Sequence, residues 1–571
     1  MAFRAHVPVF LTALCLACQQ TPDLAPRIDA IVPSAVAADQ ERFVRLEGFF
    51  PPLVGWEASS IEVDSRYTVA VGSSVSDCSV QLDEQHLSFR IPRLQAGCYD
   101  LRVTGPAGDE AYWPQGLCAH QAEQRLVFGR VRAPASGRID LFSRTDGRDE
   151  PLMADVLGAY AEAASRLQTV VISVGHRISS DGRWIAFLRP TGGDTAPRDA
   201  LVLAPMDDLA EQHVLADLPA PPSEAALGEF YKSSITSPVF CPDSSFLFWI
   251  EKQQRIFSLR LPSPSEPPPD KEQLFALADP DAVLMALDAD IANRHLLYTR
   301  FDPGEDETSM WLLPLGAPAD PVPLLTHAEG QDVCDGPGSF HPSGQSVIFL
   351  SDRHKTEFVT FFGMVPATML YRYSLGSAQV EPISPPRACY MFGQPILSPD
   401  GRLAASVGDL ADESRSSFDI LITDLATGDA HRPQGDPLGN CAPPYADEVC
   451  SRAGQVFPCC TDASDPATCC AGEDLSMCPN LELLPAFGPD SRRLAGSFIR
   501  YTWFCKAGEN GAPNHWTTGL TALHALVYLG ELLNLFEVRW TAGPSDARHS
   551  TDLPASTEYP LTTSYWQKLS P

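Results

Sequence analysis

Short segments in which apolar and polar residues alternate recur along most of this chain. Such alternation predicts half-buried β-strands, because successive side chains of a strand point to opposite faces of its sheet. Val347 and Phe349 alternate in this way, and so do Ile185 and Phe187. The 52 prolines are spread through the sequence and suit many short strands joined by turns better than long helices. The pattern predicts an all-β protein.

One tight turn comes before several of these strands. In SPDGRLAAS, residues 398–406, proline presets the turn, aspartate can bond its own backbone, and glycine accepts a left-handed conformation. Relatives of this segment begin at residues 178, 240, 340 and 486, and a sixth at 290 keeps the phase without the turn residues. The residues expected to form the repeated turns are Asp181, Gly182, Pro242, Asp243, Pro342, Gly344, Pro399, Asp400, Gly401, Pro489 and Asp490.

The turns recur at a nearly constant interval. Equivalent positions lie 62, 49, 51, 57 and 90 residues apart, and the last interval becomes 52 if residues 441–478 are an insertion. A further strand follows each turn, with FDILITDL at residue 418 the clearest case. Because one small sheet cannot bury both its faces, the repeat predicts a ring of sheets packed face to face. Six blades are expected. GRIDLFSRTDG at 137–147 leaves a seventh open, or closes the ring against the last blade.

These repeats resemble the WD40-like PD40 repeats of the TolB family, whose pattern is S-P-D-G followed by two further strands. SPDGRLAAS with FDILITDLATG is the nearest copy of that pattern in the chain. The resemblance extends over residues 125–571 and implies a β-propeller. Envelope proteins then become plausible partners by analogy of fold alone.

Residues 27–120 follow a different plan. Alternating apolar residues from Phe43 to Phe50, closed by two prolines, indicate one half-buried strand, and residues 97–103 indicate another. RIDAIVPSA at the start and GCYDLRVTGPAGDE near the end resemble the IPT/TIG domain, an immunoglobulin-like β-sandwich. The resemblance implies a spacer or a binding module.

The first 18 residues read as an export signal. A basic start is followed by an apolar run, residues 7–17, that is too short to cross a bilayer as a helix. The stretch resembles a bacterial lipoprotein signal, which implies lipidation of Cys18, and residues 19–26 then form a tether. Gln19, rather than Asp, favours an outer-membrane lipoprotein of the cell envelope, on the periplasmic or the surface face. Secretion is the alternative if Cys18 carries no lipid.

The 16 cysteines support export. Cys15 leaves with the signal and Cys18 is acylated, so an even number remains, which predicts disulfides in an oxidising compartment. Zinc is disfavoured because no C-x-x-C pair occurs among the cysteines that follow Cys18. The segment 441–478 is poor in strand-forming residues, so cross-links are expected to fix its shape, with pairings that the sequence leaves open. The candidates are Cys441, Cys450, Cys459, Cys460, Cys469, Cys470, Cys478 and Cys505.

The net charge and the catalytic motifs that are missing from the sequence limit the classes of function that this chain can have. A net charge of −31 disfavours nucleic acid as a partner, because phosphate-binding proteins cluster lysine and arginine. The sequence contains no G-x-S-x-G, H-E-x-x-H, Walker or dinucleotide-binding motif, so no catalytic residue is nominated and no cofactor or metal is expected. A solvated loop is favoured over calcium at the remaining acidic segment, Asp302, Glu305, Asp306 and Glu307.

Two further groups of side chains have alternative interpretations. His327 and His341 can line a central channel or hold a turn, and the turn is favoured. Aromatic residues near the last blade can form a binding patch or its core, and the core is favoured; they are Tyr501, Trp503, Phe504 and Trp516.

The leading functional hypothesis is an exported, membrane-anchored scaffold that binds an envelope or extracellular protein on a propeller face. A hydrolase or lyase acting on glycans or peptides is the first alternative, and it predicts convergent carboxylates or histidines with shifted pKa values in the channel. A surface or stalk component is the second. The oligomeric state is left open.

Overall fold

The structure forms two compact units, Met1–Val36 with Val44–His120 and Ala37–Phe43 with Gln121–Pro571. It is a computed structural model. The residues described are 25–57, 60–120, 124–131, 138–145, 148–157, 159–164, 169–174, 176–191, 198–219, 235–262, 266–305, 307–318, 320–325, 333–354, 357–360, 363–383, 389–410, 419–431, 475–477, 480–488, 491, 493–506, 515–528, 549–550 and 564–568.

Eleven strands build the first unit. They are β1 Arg27–Val32, β2 Ala35–Ala37, β3 Arg42–Phe49, β4 Leu53–Glu57, β5 Ser60–Asp64, β6 Thr68–Val71, β7 Ser74–Val75, β8 Ser79–Gln81, β9 His86–Ile91, β10 Gly97–Thr104 and β11 Glu110–His120. One sheet has the order β1-β3-β9-β8 and another the order β2-β11-β10-β6-β7, while β4 and β5 form a hairpin of their own.

The two larger sheets supply a common apolar core. Leu46 of β3, Phe89 of β9 and Leu101 of β10 are fully buried, as the alternation in these strands predicts. A disulfide joins Cys98 to Cys118, which lie directly opposite each other on β10 and β11. This bridge lies outside the cysteine-rich segment on which the sequence analysis concentrated.

The second unit contains the remaining strands. They are β12 Gln124–Val131, β13 Arg138–Thr145, β14 Arg148–Leu157, β15 Ala159–Ala164, β16 Thr169–Val174, β17 His176–Ile178, β18 Trp184–Thr191, β19 Arg198–Pro205, β20 His213–Pro219, β21 Ile235–Phe240, β22 Phe246–Glu251, β23 Arg255–Arg260, β24 Glu272–Ala276, β25 Val283–Ala289, β26 His295–Asp302, β27 Glu307–Pro314, β28 Val322–Pro323, β29 Asp335–Phe340, β30 Ser346–Ser351, β31 Glu357–Thr360, β32 Gly363–Pro366, β33 Met369–Ser374, β34 Gln379–Pro382, β35 Cys389–Leu397, β36 Leu403–Leu410, β37 Asp419–Asp424, β38 Ala430–His431, β39 Leu475–Met477, β40 Asn480–Phe487, β41 Arg493–Lys506, β42 His515–Tyr528, β43 His549–Ser550 and β44 Ser564–Lys568.

These strands form a β-propeller. Antiparallel sheets of four or five strands follow one another along the chain, and we define the inner strands as β17, β21, β25, β29, β35, β40 and β44. Each inner strand contacts the next, and β44 contacts both β40 and β17, so the contacts close a ring. The expectation of an all-β fold is confirmed, and the described residues include no helix. Accordingly, no helix able to cross a membrane occurs among them.

Seven sheets follow one another in the described part of the second unit, whereas six blades were expected with seven as the alternative. The additional sheet has the order β14-β13-β12-β44 and includes GRIDLFSRTDG in and around β13. Its inner strand is β44, which pairs with β12 from Gln124 to Phe128. A search for the repeated turn misses this sheet because its inner strand comes from the other end of the chain.

Apolar side chains between adjacent sheets form the propeller core. Trp184 and Leu203 of the second sheet pack with Trp249 and Phe257 of the third in one buried cluster. Trp249 stacks on Phe257 with ring centroids 5.8 Å apart. Burying both faces of each sheet in this way provides most of the stabilisation that a lone four-stranded sheet lacks.

Candidate functional site

The two ends of the propeller ring differ in construction. Because strand direction alternates within each sheet, all the repeated turns lie at one end, the turn end. The connections from second to third strands, and from each sheet to the next inner strand, lie at the opposite end, the loop end. The hairpins β15–β16 and β31–β32 belong to two such connections, and β39 belongs to a third.

The repeated turns share one backbone geometry. In each, the fourth residue donates its N–H to the carbonyl of the first, at 2.8 to 3.1 Å. That fourth residue has a left-handed φ in all six repeats, with values between 53° and 76°. It is glycine in three repeats and Ser244, Asn293 or Ser491 in the others. The eroded repeats therefore keep the turn although they lack the glycine.

Hydrogen bonds also connect turns of neighbouring sheets. Ser244 Oγ accepts the N–H of Asp181 at 3.0 Å, and the Asn293 side-chain amide donates to the Asp243 carboxylate. Ser491 Oγ accepts the N–H of Asp400 at 3.2 Å. The residues that replace glycine therefore use their side chains to bind the preceding turn.

The other predicted turn residues are placed as follows. Asp181, Gly182, Pro242, Asp243, Pro342, Gly344, Pro399, Asp400 and Gly401 lie in these turns, whereas Pro489 and Asp490 lie outside the described residues. His341 also belongs to a turn, since its Nε2 bonds the carbonyl of Gly401 at 2.8 Å and its Nδ1 bonds Ser343 Oγ at 2.7 Å. His327 lies outside the described residues.

A hairpin covers the inner strands at the loop end. It consists of β15 and β16, paired from Ala159–Val174 to Ala164–Thr169, within the connection that leads to β17. Strand β16 contacts β21, β25 and β35, which belong to three different sheets. A segment that contacts inner strands on several sides must cross the channel opening. The loop end therefore presents the surface of this hairpin instead of an open channel.

A second hairpin, β31 with β32, occupies the connection between β30 and β33 at the same end. The cysteine-rich segment also joins the ring there. Of that segment the structure describes β39, whose Leu475 and Met477 pair with Cys505 and Trp503 of β41. The described hairpins that lie outside the four- and five-stranded sheets of the second unit are therefore both at the loop end.

Charged side chains occur in the channel two residues before the repeated turns. At that position the inner strands carry Val239, Ile396 and Ala486, but also Arg177, Asp288 and Ser339. Arg177 and Asp288 belong to sheets separated by one other sheet, and both are half-buried. Arg177 and Asp288 are the two charged residues at this position of the described inner strands. The sequence analysis did not nominate either of them.

The protein environment shifts both groups. The pKa of Asp288 is raised to about 7, mainly by burial and least by the charge of the neighbouring Asp290, although hydrogen bonds from the backbone of Phe340 and Ala289 and the charge of Arg177 oppose the rise. The Phe340 N–H lies 2.6 Å from Asp288 Oδ2. Burial lowers the pKa of Arg177 to about 10. The enzyme hypothesis predicted several convergent carboxylates or histidines with shifted pKa values, and Asp288 is one such carboxyl.

Other polar side chains near Asp288 connect inner strands to one another. The Gln394 amide donates to the carbonyls of Leu287 at 3.2 Å and Gly338 at 3.0 Å, and so joins β35 to β25 and β29. Ser339 Oγ donates to the carbonyl of Pro395 at 2.7 Å. These bonds hold the wall around Asp288 rigidly but consume the polar groups that a ligand would use.

A buried ion pair marks the loop end of β29. Asp335 is fully buried and accepts two hydrogen bonds from Arg353, at 3.0 Å from Nε and 2.6 Å from Nη2, together with one from Ser351 Oγ at 2.7 Å. Because Arg353 follows β30 directly, the pair fixes the start of the inner strand against its neighbour. Its geometry is that of a structural bidentate pair.

The acidic loop is partly described. Asp302 accepts a hydrogen bond from Arg300 at 2.7 Å, and Glu307 lies opposite it across the β26–β27 pair. Asp306 lies outside the described residues. Within the described chain, no group of three histidine, cysteine or acidic residues is arranged to hold a metal ion.

The cysteine and aromatic predictions have the following positions. Cys78, Cys241 and Cys334 are thiols and not disulfides, so not every cysteine left after signal removal is paired as expected. Burial first of all, and then the charge of Asp243, raises the pKa of the Cys241 thiol to about 12. Cys505, Tyr501, Trp503, Phe504 and Trp516 lie on β41 or β42. The remaining candidates, Cys441, Cys450, Cys459, Cys460, Cys469, Cys470 and Cys478, lie outside the described residues.

The channel pair had a detectable sequence signal. Aligning the six repeats shows hydrophobic or small residues two places before most turns, against which Arg177 and Asp288 stand out. This signal lies in the strand that precedes each turn, whereas the sequence expectations rest on the turns and the strands that follow them.

Comparisons with known proteins show similarity of fold at low identity. A prolyl endopeptidase aligns at 9% identity and a TM-score of 0.38, covering 78% of this chain and 61% of that one, so this chain spans less than two thirds of it. An oligogalacturonate lyase in complex with manganese aligns at 13% identity and a TM-score of 0.28, covering 67% of this chain and 100% of that one. The β-propeller domain of the Trilobed protease from Pyrococcus furiosus aligns at 9% identity and a TM-score of 0.32, covering 66% and 97%.

No protein-family model matches the chain, and no curated protein matches it. Similarity at these levels carries no conclusion about activity or ligand.

Proposed function

We propose that this chain is a lipid-anchored binding protein of the bacterial cell envelope, whose propeller binds a protein partner at the loop end. The observation that carries the proposal is the contrast between the two ends of the ring. Hydrogen bonds connect neighbouring turns at the turn end, whereas the hairpins β15–β16 and β31–β32 lie at the loop end. Binding residues are concentrated on loops that a rigid scaffold positions.

The hairpin over the channel also favours a surface for a macromolecule. With β16 lying across three inner strands, a partner meets a broad face and not a deep cleft. We further propose that the seven sheets are seven blades of the TolB-like PD40 type, that the first unit is an IPT/TIG-like spacer, and that Cys18 is lipidated. An outer-membrane location, on either face, follows from Gln19.

A photo-crosslinker placed at each end of one sheet tests the binding face. Gly304 lies in the loop-end connection of the fourth sheet and Gly316 in its turn-end connection, and added side-chain atoms at either position meet open space. We expect a crosslinking residue at 304, but not at 316, to capture a recurrent protein in cells. Capture from 316 alone would place the binding face at the turn end and contradict the proposal.

The lipid anchor has its own test. Cys18→Ala should release the protein from membranes and abolish incorporation of labelled fatty acid. Membrane retention in the variant would contradict lipidation at Cys18 without bearing on the propeller face.

A channel site for a small molecule is the second candidate, favoured by the raised pKa of Asp288. Thermal-shift screening of glycan and peptide fragments against the wild type and Asp288→Asn distinguishes it. A fragment that stabilises the wild type but not the variant would move the site from the loop end into the channel.

A further inference from the structure

The hairpin β4–β5 of the sandwich unit carries an uncovered apolar side. Val54 and Val63 lie directly opposite each other on the two strands and are 45% and 62% exposed. In the described part of the unit, β4 and β5 pair only with each other. Adjacent exposed apolar residues of this kind mark an interaction surface.

The base of this hairpin lies where the chain enters the sandwich. Pro26 and Leu53 line one shallow depression together with Pro51, Tyr67 and Gly105. The Tyr67 hydroxyl donates to the carbonyl of Pro51 at 2.6 Å and so fixes the start of the hairpin to the residues that follow its end. The direction from which the chain arrives and the position of the hairpin are therefore coupled within one end of the unit.

The chain before Pro26 limits what can face the hairpin. Pro26 lies eight positions after Cys18, and at full extension this part of the chain spans about 29 Å. A lipid on Cys18 therefore holds this end of the sandwich within about 29 Å of the lipid headgroups. The length of the chain between Cys18 and Pro26 thus limits how far the lipid surface can be from the hairpin. It sets no such limit for any other partner.

Charges at the base of the hairpin are paired within the sandwich. Arg66 binds Asp64 through two hydrogen bonds of 2.9 and 2.6 Å, and Arg27 binds Asp29 at 2.7 and 2.9 Å. Both of these carboxylates are therefore neutralised by an arginine.

We propose that the Val54–Val63 side of this hairpin docks on the bilayer in which Cys18 is anchored, with its apolar residues in the headgroup region. The inference rests on the lipid anchor of the proposed function. It makes the sandwich unit a membrane-seated base as well as a spacer. An apolar side of this size adds a weak second attachment to that of the acyl chains.

Hydrogen exchange of the backbone amides between residues 53 and 64 tests docking. Lipidated full-length protein on phosphatidylethanolamine–phosphatidylcholine vesicles is compared with the same chain made from residue 19 onward, free in solution. We expect exchange to be several-fold slower on the vesicles. Val54→Glu with Val63→Glu should return it to the solution rate, because carboxylates resist entry into the headgroup region.

Val75→Glu is the matched control, since Val75 is 59% exposed in the same unit and lies outside the hairpin. It should leave the slow exchange unchanged. Equal exchange on vesicles and in solution, with lipid on Cys18 verified by mass, would overturn docking alone. An unlipidated Cys18 would overturn the anchor and docking together. If hydrogen exchange in the lipid-free chain becomes slower as the protein concentration rises, the hairpin contacts a second copy of the chain. That result would overturn membrane docking.

Discussion

At the scale of single residues, Asp288 gives the propeller a distinctive pH dependence. Its folded-state pKa of about 7 lies above the ordinary value of 3.8, so the folded protein keeps this proton while the unfolded chain loses it. The stability that Asp288 contributes is therefore present at low pH and declines as pH rises from about 4 to about 7.

Asp288→Asn should remove that decline, because the amide does not titrate and its oxygen can still accept the Phe340 N–H. Relative to the wild type, the variant should gain up to roughly 4 kcal/mol of unfolding free energy between pH 4 and pH 8. Denaturant unfolding at several pH values measures the change. Parallel pH profiles of wild type and variant would show that the carboxyl titrates normally.

Asp335, unlike Asp288, should stabilise the folded protein in its charged form, because Arg353 compensates its charge. Asp335→Ala leaves Arg353 without its bidentate partner in a largely buried position, and we expect a loss of about 3 kcal/mol in unfolding free energy. Asp29→Ala breaks an Asp–Arg pair whose side chains are 50% and 68% exposed, and should leave the thermal midpoint unchanged. Equal effects of the two substitutions would contradict a structural role for the buried pair.

The sequence predicted residues with a backbone role better than residues defined by their surroundings. Proline, aspartate and glycine in the turns act through local geometry, which the sequence displays directly. The raised pKa of Asp288 arises from packing by strands of three other sheets, and nothing in its local sequence encodes that packing. The side-chain links from Ser244 and Asn293 likewise depend on a neighbouring turn some 50 residues away.

At the scale of elements, the repeated turn is the feature that tolerates substitution least. Gly401 has a φ of 70°, and a Cβ there would lie 2.6 Å from the His341 ring. Gly401→Ala should cost about 2 kcal/mol in unfolding free energy, through backbone strain and the displaced ring. Gly376→Ala, where a Cβ meets open space, should be close to neutral. Chemical denaturation of both variants measures this, and equal stabilities would mean that the turn relaxes at no cost.

Element boundaries followed the alternation of apolar residues closely where one sheet face is buried. FDILITDL, which the sequence identified as a strand, corresponds to β37, and the alternating residues Ile185 with Phe187 and Val347 with Phe349 lie in β18 and β30. The Cys98–Cys118 bridge was not singled out, because pairing depends on the register of β10 and β11 and not on cysteine density.

At the scale of the whole molecule, closure of the ring depends on β44. Ending the chain at residue 563 removes the inner strand that pairs with β12 and contacts β17 and β40. We expect a lower thermal midpoint and a broader transition, because the first sheet loses its inner edge. Ending the chain at residue 568 keeps β44 and should match the wild type. Calorimetry compares the two, and equal midpoints would show that the ring holds without this strand.

The propeller fold was predictable because the repeated turn is visible in the sequence. The choice between six and seven sheets was not predictable in the same way. The first sheet draws strands from both ends of the second unit and carries no repeated turn, so its local sequence, GRIDLFSRTDG, left six and seven sheets both open. The contrast between turn end and loop end could be read only once strand directions were known.

Pairing of β12 with β44 has a consequence for how the molecule is made. Synthesis proceeds from the N-terminus, so β12 waits for its partner until almost every other strand has been produced. During that interval the backbone edge of β12 is available to any other extended chain, which is a route to aggregation. The nascent protein thus needs either rapid completion or a chaperone at this edge, and the last few residues decide when the need ends.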